Sequence, residues 1–204
     1  MTESAGLENK GFRVILLGIE DVVGKSGIET ILRKAQLPQY INNYPPSDEN
    51  RGGHKLEYQT QVNRALFDIY GARGARAILQ RVGRGRAKNA LEENGAIANA
   101  VRIATRLLPR RMKVKLALDS AAREYSKQLE TSILIEDDGE FLYWQDPHCG
   151  NCINWQSAQP VCFTGVGFVQ GLLAWLLEDE NFKVEEIACH AKGDPACRHR
   201  ITLK

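Results

Sequence analysis

The sequence predicts an α+β fold in which N-terminal helices pack with a small antiparallel sheet, the sheet coming from a C-terminal β-β-α-β-β unit. Three observations predict it. Apolar residues recur at helical spacing through the first two thirds of the chain, as at Val62, Leu66, Ile69 and Tyr70. At Thr131 the pattern changes to short β-like runs bounded by turn residues. Between two such pairs of runs lies a helical segment that is apolar on nearly every face and therefore buried. A sheet with helices on one face satisfies this order of elements.

Residues 1–10 read as a disordered N-terminus, 11–130 as the helical part and 131–204 as a zinc-binding α/β core, the last two forming one composite domain. Phe12–Val23 and Ser26–Ala35 are amphipathic helices broken at Gly24. Leu37–His54 is loop, punctuated by Pro38, Pro45, Pro46 and Gly52-Gly53. From Leu56 to about Leu129 the pattern is helical, with interruptions expected at Gly71, Gly83 and Pro109. Ser132–Glu136 and Glu140–Trp144 form a hairpin around Asp137-Asp138-Gly139. Pro160–Leu177 is the buried helix; Gly167, Gly171 and Ala174 line one side of it and would let it lie close against the sheet. Lys183–His190 and Ala196–Leu203 are strands turned by Gly193-Asp194-Pro195.

Composition narrows the functional classes. With 43% apolar and 25% charged residues among 204, the chain is globular. Its longest apolar stretch, Phe163–Leu177, is too short to span a bilayer, and MTESAGLENKGF is no signal peptide. A cytoplasmic protein with reduced thiols is expected. Residues 131–204 carry 5 Lys/Arg against 11 Asp/Glu, so the first 130 residues are basic. The basic tract runs through Arg73, Arg76, Arg81, Arg84, Arg86 and Lys88, then Arg102, Arg106, Arg110, Arg111, Lys113 and Lys115. Without interleaved aromatics it does not suit nucleic acid. An anionic membrane, a propionate group or an acidic protein fits it equally, as does a merely solvated helix face.

All five cysteines lie between 149 and 197, an odd number in a reduced compartment, which points to metal or redox chemistry. In the last hairpin Cys197 alternates with Ile201 onto the inner face, opposite Arg198 and Arg200. Glu186 alternates with Val184 and Ala188, and a carboxylate facing inward needs a partner. Cys162 opens the buried helix, where the helix dipole favours a thiolate. Cys162, Glu186, Cys189 and Cys197 would make a closed tetrahedral set suited to zinc. Glu186 and Cys189 are three residues apart, so on an ideal strand they face opposite ways; a bulge near Ala188 is required. The other reading is of inert buried thiols.

Two further groups stand out. His148-Cys149-Gly-Asn-Cys152 contains a C-x-x-C, readable as a second thiol site or as a loop with spare thiols. Phe141, Tyr143 and Phe168 are candidate lining residues of a pocket for a planar apolar molecule, against the alternative that they are core. No G-x-G-x-x-G follows a strand, so no redox-cofactor site is visible, which counts against stand-alone catalysis.

P-x-C at 160–162, E-x-x-C at 186–189, G-D-x-x-C at 193–197 and a closing apolar strand resemble the 4-vinyl reductase domain, most closely over 131–203. That family shares its fold with small subunits of the TRAPP vesicle-tethering complex. The segment LGIEDVVGKSGIETILRKAQLPQY resembles the N-terminus of stand-alone members in photosynthetic bacteria. The resemblance implies a structural zinc on Cys162, Glu186, Cys189 and Cys197 beside a hydrophobic pocket. It implies binding or carriage of a tetrapyrrole intermediate in chlorophyll biosynthesis or photosystem assembly. A divinyl reductase component and a protein-assembly factor are the alternatives. Photosystem or membrane-associated partners, a homodimer and a place beside photosynthetic membranes fall within it. The chain shows no ATPase module or helix-turn-helix, so a transcription activator is not expected.

Overall fold

The computed structural model describes residues 6–48, 50, 54–129 and 132–204. Residues 1–5 of the expected disordered terminus, Gly52-Gly53 and the boundary at Thr131 lie outside them. Gly6–Leu7 (β1) pairs antiparallel with His54–Lys55 (β2), and Asn9 already opens the first helix. The Asn9 Nδ2 donates to Asp48 Oδ1 at 2.7 Å, fixing that opening to the loop.

Helix α1 spans Asn9–Lys34 and is kinked at Gly24, whose φ of 75° only glycine adopts without strain. Its apolar stripe buries Phe12, Ile15, Leu16, Ile19, Ile28, Ile31 and Leu32. Pro38–Tyr40 is a short 3₁₀ turn in the otherwise irregular connection. Helix α2, Glu57–Glu93, is kinked at Gly71 (φ 66°) as expected but runs unbroken through Gly83. A helical glycine costs only about 1 kcal/mol, and here it admits another helix. A Cβ on Gly83 would stand 2.2 Å from the Thr164 carbonyl oxygen. The break comes instead at Asn94, before α3 (Gly95–Thr105); α4 (Arg110–Leu129) follows Pro109.

Strands β3 (Leu134–Asp137), β4 (Leu142–Asp146), β5 (Phe182–Ala188) and β6 (Cys197–Leu203) form an antiparallel sheet in the order β3-β4-β6-β5. Asp138 closes the first hairpin by accepting from the Glu140 and Phe141 N–H groups at 2.9 and 2.7 Å. Helix α5, Phe163–Leu177, lies between the sheet and α2, which is why every face of it is apolar. The placement of its small residues differs from expectation. Gly167 and Gly171 face α2, where a Cβ would meet the Gln80 carbonyl at 2.1 Å and the Ala87 Cβ at 2.6 Å. Gly165 is the one turned to the sheet, against the His199 ring.

One core cluster joins α1 and α2, and a second joins α4, α5 and the inner sheet face, including Leu142, Trp144, Val184 and Ile201. A third, smaller cluster is made mainly of cysteines. The outer sheet face is ionic and aromatic: Arg198 lies 3.8 Å over the Tyr143 ring and pairs with Glu136, while Arg200 lies over Phe141 and pairs with Glu185. No helix among the described residues is long and apolar enough to cross a membrane.

Candidate metal centre

The bulge that the strand periodicity demanded is present. Pairing of β5 with β6 shifts register between Glu186 and Ala188, and this turns Glu186 and Cys189 toward the same point. The chain after Cys189 folds into a tight turn: the Cys189 N–H donates to Asp194 Oδ2 at 2.8 Å, and Gly193 takes a φ of 90°. The turn returns Cys197 beside Cys189, with Sγ atoms 4.0 Å apart. Cys162, at the start of α5, places its Sγ 3.7 Å from Cys189 and 3.5 Å from Cys197. Ligand atoms of Cys162, Glu186, Cys189 and Cys197 all lie within 4.8 Å of one another.

Glu186 fits a cation. Its Oε2 accepts the Cys162 N–H at 2.8 Å, while its Oε1 is buried with no hydrogen-bond partner. Burial, with the Cys189 charge beside it, pushes the carboxyl up to about 9. Burial likewise pushes the Cys162 thiol up. A metal ion among these groups would hold the thiolate and carboxylate forms and satisfy Oε1. Zinc–thiolate bonds of about 2.3 Å give a tetrahedral edge of about 3.8 Å, and the three Sγ separations straddle that length.

The C-x-x-C loop is no exposed appendage. Cys149 and Cys152 are buried and join the same cluster: Cys149 Sγ is 3.5 Å from Cys162 Sγ, and Cys152 Sγ is 3.5 Å from Cys197 Sγ. Cys149, Cys152, Cys162 and Cys197 therefore form a second group with ligand atoms within 4.8 Å. His148 is not in either group; its side chain is exposed, and its N–H donates to Asp146. The loop is held by a buried polar row on α2. Thr60 Oγ1 donates to the Gly150 carbonyl and accepts the Ile153 N–H, both at 3.0 Å. Asn63 Nδ2 donates to the Asn151 carbonyl at 3.0 Å, and Gln59 Nε2 donates to Asn151 Oδ1. Gln59, Thr60 and Asn63 carry no motif and were missed in the sequence. Their signal was three polar residues on the stripe that also carries Val62 and Leu66.

The aromatic candidates separate. Phe168 lines an apolar cavity of about 80 Å³ between α2, α3, α4 and α5, with Ala98, Leu118, Tyr125, Leu172 and Trp175. Phe141 and Tyr143 do not line it: strand alternation puts them on the outer face, under the arginines, and Tyr143 donates its hydroxyl proton to Asp138 at 2.7 Å. Trp144, facing inward, stacks edge-on against Phe168 in their place. His199 also faces inward. Both its ring nitrogens lack partners, and burial lowers its pKa. Much of the basic tract is occupied internally: Arg110 makes a two-pronged pair with Asp179, Arg111 binds Asp137, and Arg102 binds Glu178.

Solved structures share this fold at low identity. An H-NOX structure from work on heme distortion aligns with TM-score 0.61 and 12% identity, covering 97% of this chain and 95% of that one. An unliganded Fe(II) H-NOX variant from K. algicida gives 0.60 and 12%, covering 97% of each. The phenol-responsive sensory domain of the transcription activator PoxR, with phenol, gives 0.50 and 12%, covering 72% of this chain and 74% of that one. No curated protein matches in sequence. Residues 145–203, which contain all five cysteines and Glu186, match the family model of the 4-vinyl reductase domain, the same family that the motifs resemble.

Proposed function

We propose that this protein binds a hydrophobic cyclic molecule in the cavity beside α5, on a scaffold fixed by a structural zinc ion at Cys162, Glu186, Cys189 and Cys197. The observation that carries the reading is α5 itself. Cys162 begins it, and Phe168, Leu172, Leu173 and Leu176 on the same helix line the cavity. A metal that fixes the helix start fixes the pocket wall. The lining is apolar, with Tyr125, Ser120, Asn94 and Glu124 supplying the few polar groups.

The same fold accommodates heme chemistry in H-NOX proteins and phenol in the PoxR domain, which supports an aromatic or tetrapyrrole ligand here. A single ring suits the cavity as it stands. A tetrapyrrole, the ligand expected of a protein of chlorophyll biosynthesis or photosystem assembly, requires α3 to swing away from α5. In this reading residues 11–130 and 131–204 act as one domain, because the cavity takes walls from both. A divinyl reductase role needs a reductant from another protein.

The test is mass spectrometry and absorbance of whatever co-purifies from the native host, followed by titration of apo protein with phenols and with chlorophyll precursors. Micromolar binding of either class, lost in Ala98→Trp with zinc content unchanged, supports the reading. Absence of any bound or bindable ring compound overturns it.

A second reading, docking on an anionic membrane as an assembly or delivery factor, is favoured by one surface. Ile103, Leu107 and Met112 are 77%, 94% and 57% exposed beside the exposed Arg106. Exposed apolar side chains with basic neighbours suit an anionic lipid surface. Co-sedimentation with phosphatidylglycerol vesicles, weakened by Leu107→Ser, would favour it; no sedimentation would remove it.

A further inference from the structure

The two four-donor groups are not separate sites. Cys149, Cys152, Cys162 and Cys197 make one, Cys162, Glu186, Cys189 and Cys197 the other, and they share Cys162 and Cys197. The shared sulfurs are 3.5 Å apart, and each also touches sulfurs belonging to one group alone: Cys162 with Cys149 at 3.5 Å and Cys189 at 3.7 Å, Cys197 with Cys152 at 3.5 Å and Cys189 at 4.0 Å. These separations are tetrahedral edges. Six donors in two tetrahedra with a common edge describe a pair of metal ions bridged by two thiolates.

We propose that the centre binds two divalent zinc ions, with the Cys162 and Cys197 thiolates bridging them, Cys149 and Cys152 completing one ion, and Glu186 and Cys189 completing the other. The second ion rests on the zinc reading above, since both sets use the shared pair. With zinc–sulfur bonds of about 2.3 Å on a 3.5 Å edge, the ions would stand about 3 Å apart. Binding releases the thiol protons to solvent, with no change of oxidation state.

Charge supports two ions rather than one. Five thiolates and a carboxylate carry six negative charges, of which one zinc ion neutralises two and a pair four. No lysine or arginine touches the cysteine sulfurs or Glu186 among the described interactions. What reaches them is N–H: His190 N to Cys197 Sγ and Asn151 Nδ2 to Cys149 Sγ, both at 3.4 Å, and Cys162 N to Glu186. Construction supports it too. Gln59, Thr60 and Asn63 are buried polar residues whose bonds hold the C-x-x-C loop against the cluster. Spare thiols need no such frame. Glu186 Oε1 is buried, unpartnered and at the outer corner of its own tetrahedron.

The full-length chain, reduced and metal-free, is titrated anaerobically with cobalt(II), then separately with zinc(II) followed by gel filtration and elemental analysis. Two zinc ions per chain are expected. Cobalt should give thiolate charge-transfer absorbance through two equivalents, with the paramagnetic signal per cobalt falling as the second enters, because bridging sulfurs couple the two spins. Cys149→Ser/Cys152→Ser, which leaves the other set intact, should bind one ion with an uncoupled signal. One ion in the unaltered chain overturns the pair and leaves the single zinc standing. Two ions with no coupling overturn the bridging. No ion overturns both readings, and the unaltered chain alone decides these outcomes if the double variant fails to fold.

Discussion

Cys197 has more partners in the centre than any other side chain. Its Sγ contacts Cys152, Cys162 and Cys189 and accepts the His190 N–H. Cys197→Ser should therefore cost more than Cys189→Ser, which touches one group only. A structural site's binding energy is also folding energy. A loss of about 3 kcal/mol lowers the melting temperature of a chain this size by roughly 6–12 °C. Calorimetry should show such a drop for Cys197→Ser, with zinc content falling in parallel; an unchanged Tm would contradict a structural metal. Glu186→Gln keeps the volume and can still accept the Cys162 N–H, yet supplies no charge. Zinc affinity should fall at least 10-fold, the order seen when a supporting group of a metal site is lost, read by competition with a chromogenic chelator.

Among the elements, the crossing of α2 and α5 is set by missing side chains. A Cβ at Gly83 or Gly167 would meet a backbone carbonyl oxygen at 2.2 or 2.1 Å, and backbone cannot step aside as a flexible side chain can. Gly83→Ala and Gly167→Ala should each destabilise by about 1–3 kcal/mol or more. Gly85→Ala, two residues along the same helix, meets nothing within 4 Å and should stabilise by up to about 1 kcal/mol. Urea unfolding of the three variants separates close packing from helix propensity; equal effects at 83 and 85 would sink the packing account. The C-x-x-C loop depends on α2 through Thr60 and Asn63, so Asn63→Ala should weaken metal binding without touching a ligand.

For the whole molecule, charge pairs fasten the late helices to the sheet layer. Arg110 on α4 grips Asp179 beyond α5, and Arg111 reaches Asp137 on β3. The Arg110 guanidinium holds the Asp179 carboxyl at about 2, below its ordinary value of 3.8. A depressed carboxylate contributes stability that is present above the unfolded value and lost as pH falls from about 4 toward 2. Arg110→Gln should flatten that part of the acid unfolding curve. The pair is exposed, so added salt should shrink the difference. A ligand in the cavity lies between these fastened elements, and thermal stability should rise with its concentration as binding to the folded state requires.

Much was legible in the residues. Periodicity gave the helices, the hairpins and the kinks at Gly24 and Gly71, because those signals are local. The mismatch between Glu186 and Cys189 even required a bulge, since strand alternation admits no other way to aim both. What local pattern could not carry was which faces meet. Gly83 looks like a helix break until α5 is laid across it, and Gly167 looks like a sheet contact until α2 occupies that side. Phe141, Tyr143 and Trp144 are equivalent aromatics in a string; only pairing with β6 turns the first two under arginines and the third toward Phe168. The sequence by itself determined an α+β chain with a donor set at Cys162, Glu186, Cys189 and Cys197. Tertiary structure decided that Cys149 and Cys152 join them, because a polar row on α2, nearly ninety residues upstream, draws the loop inward.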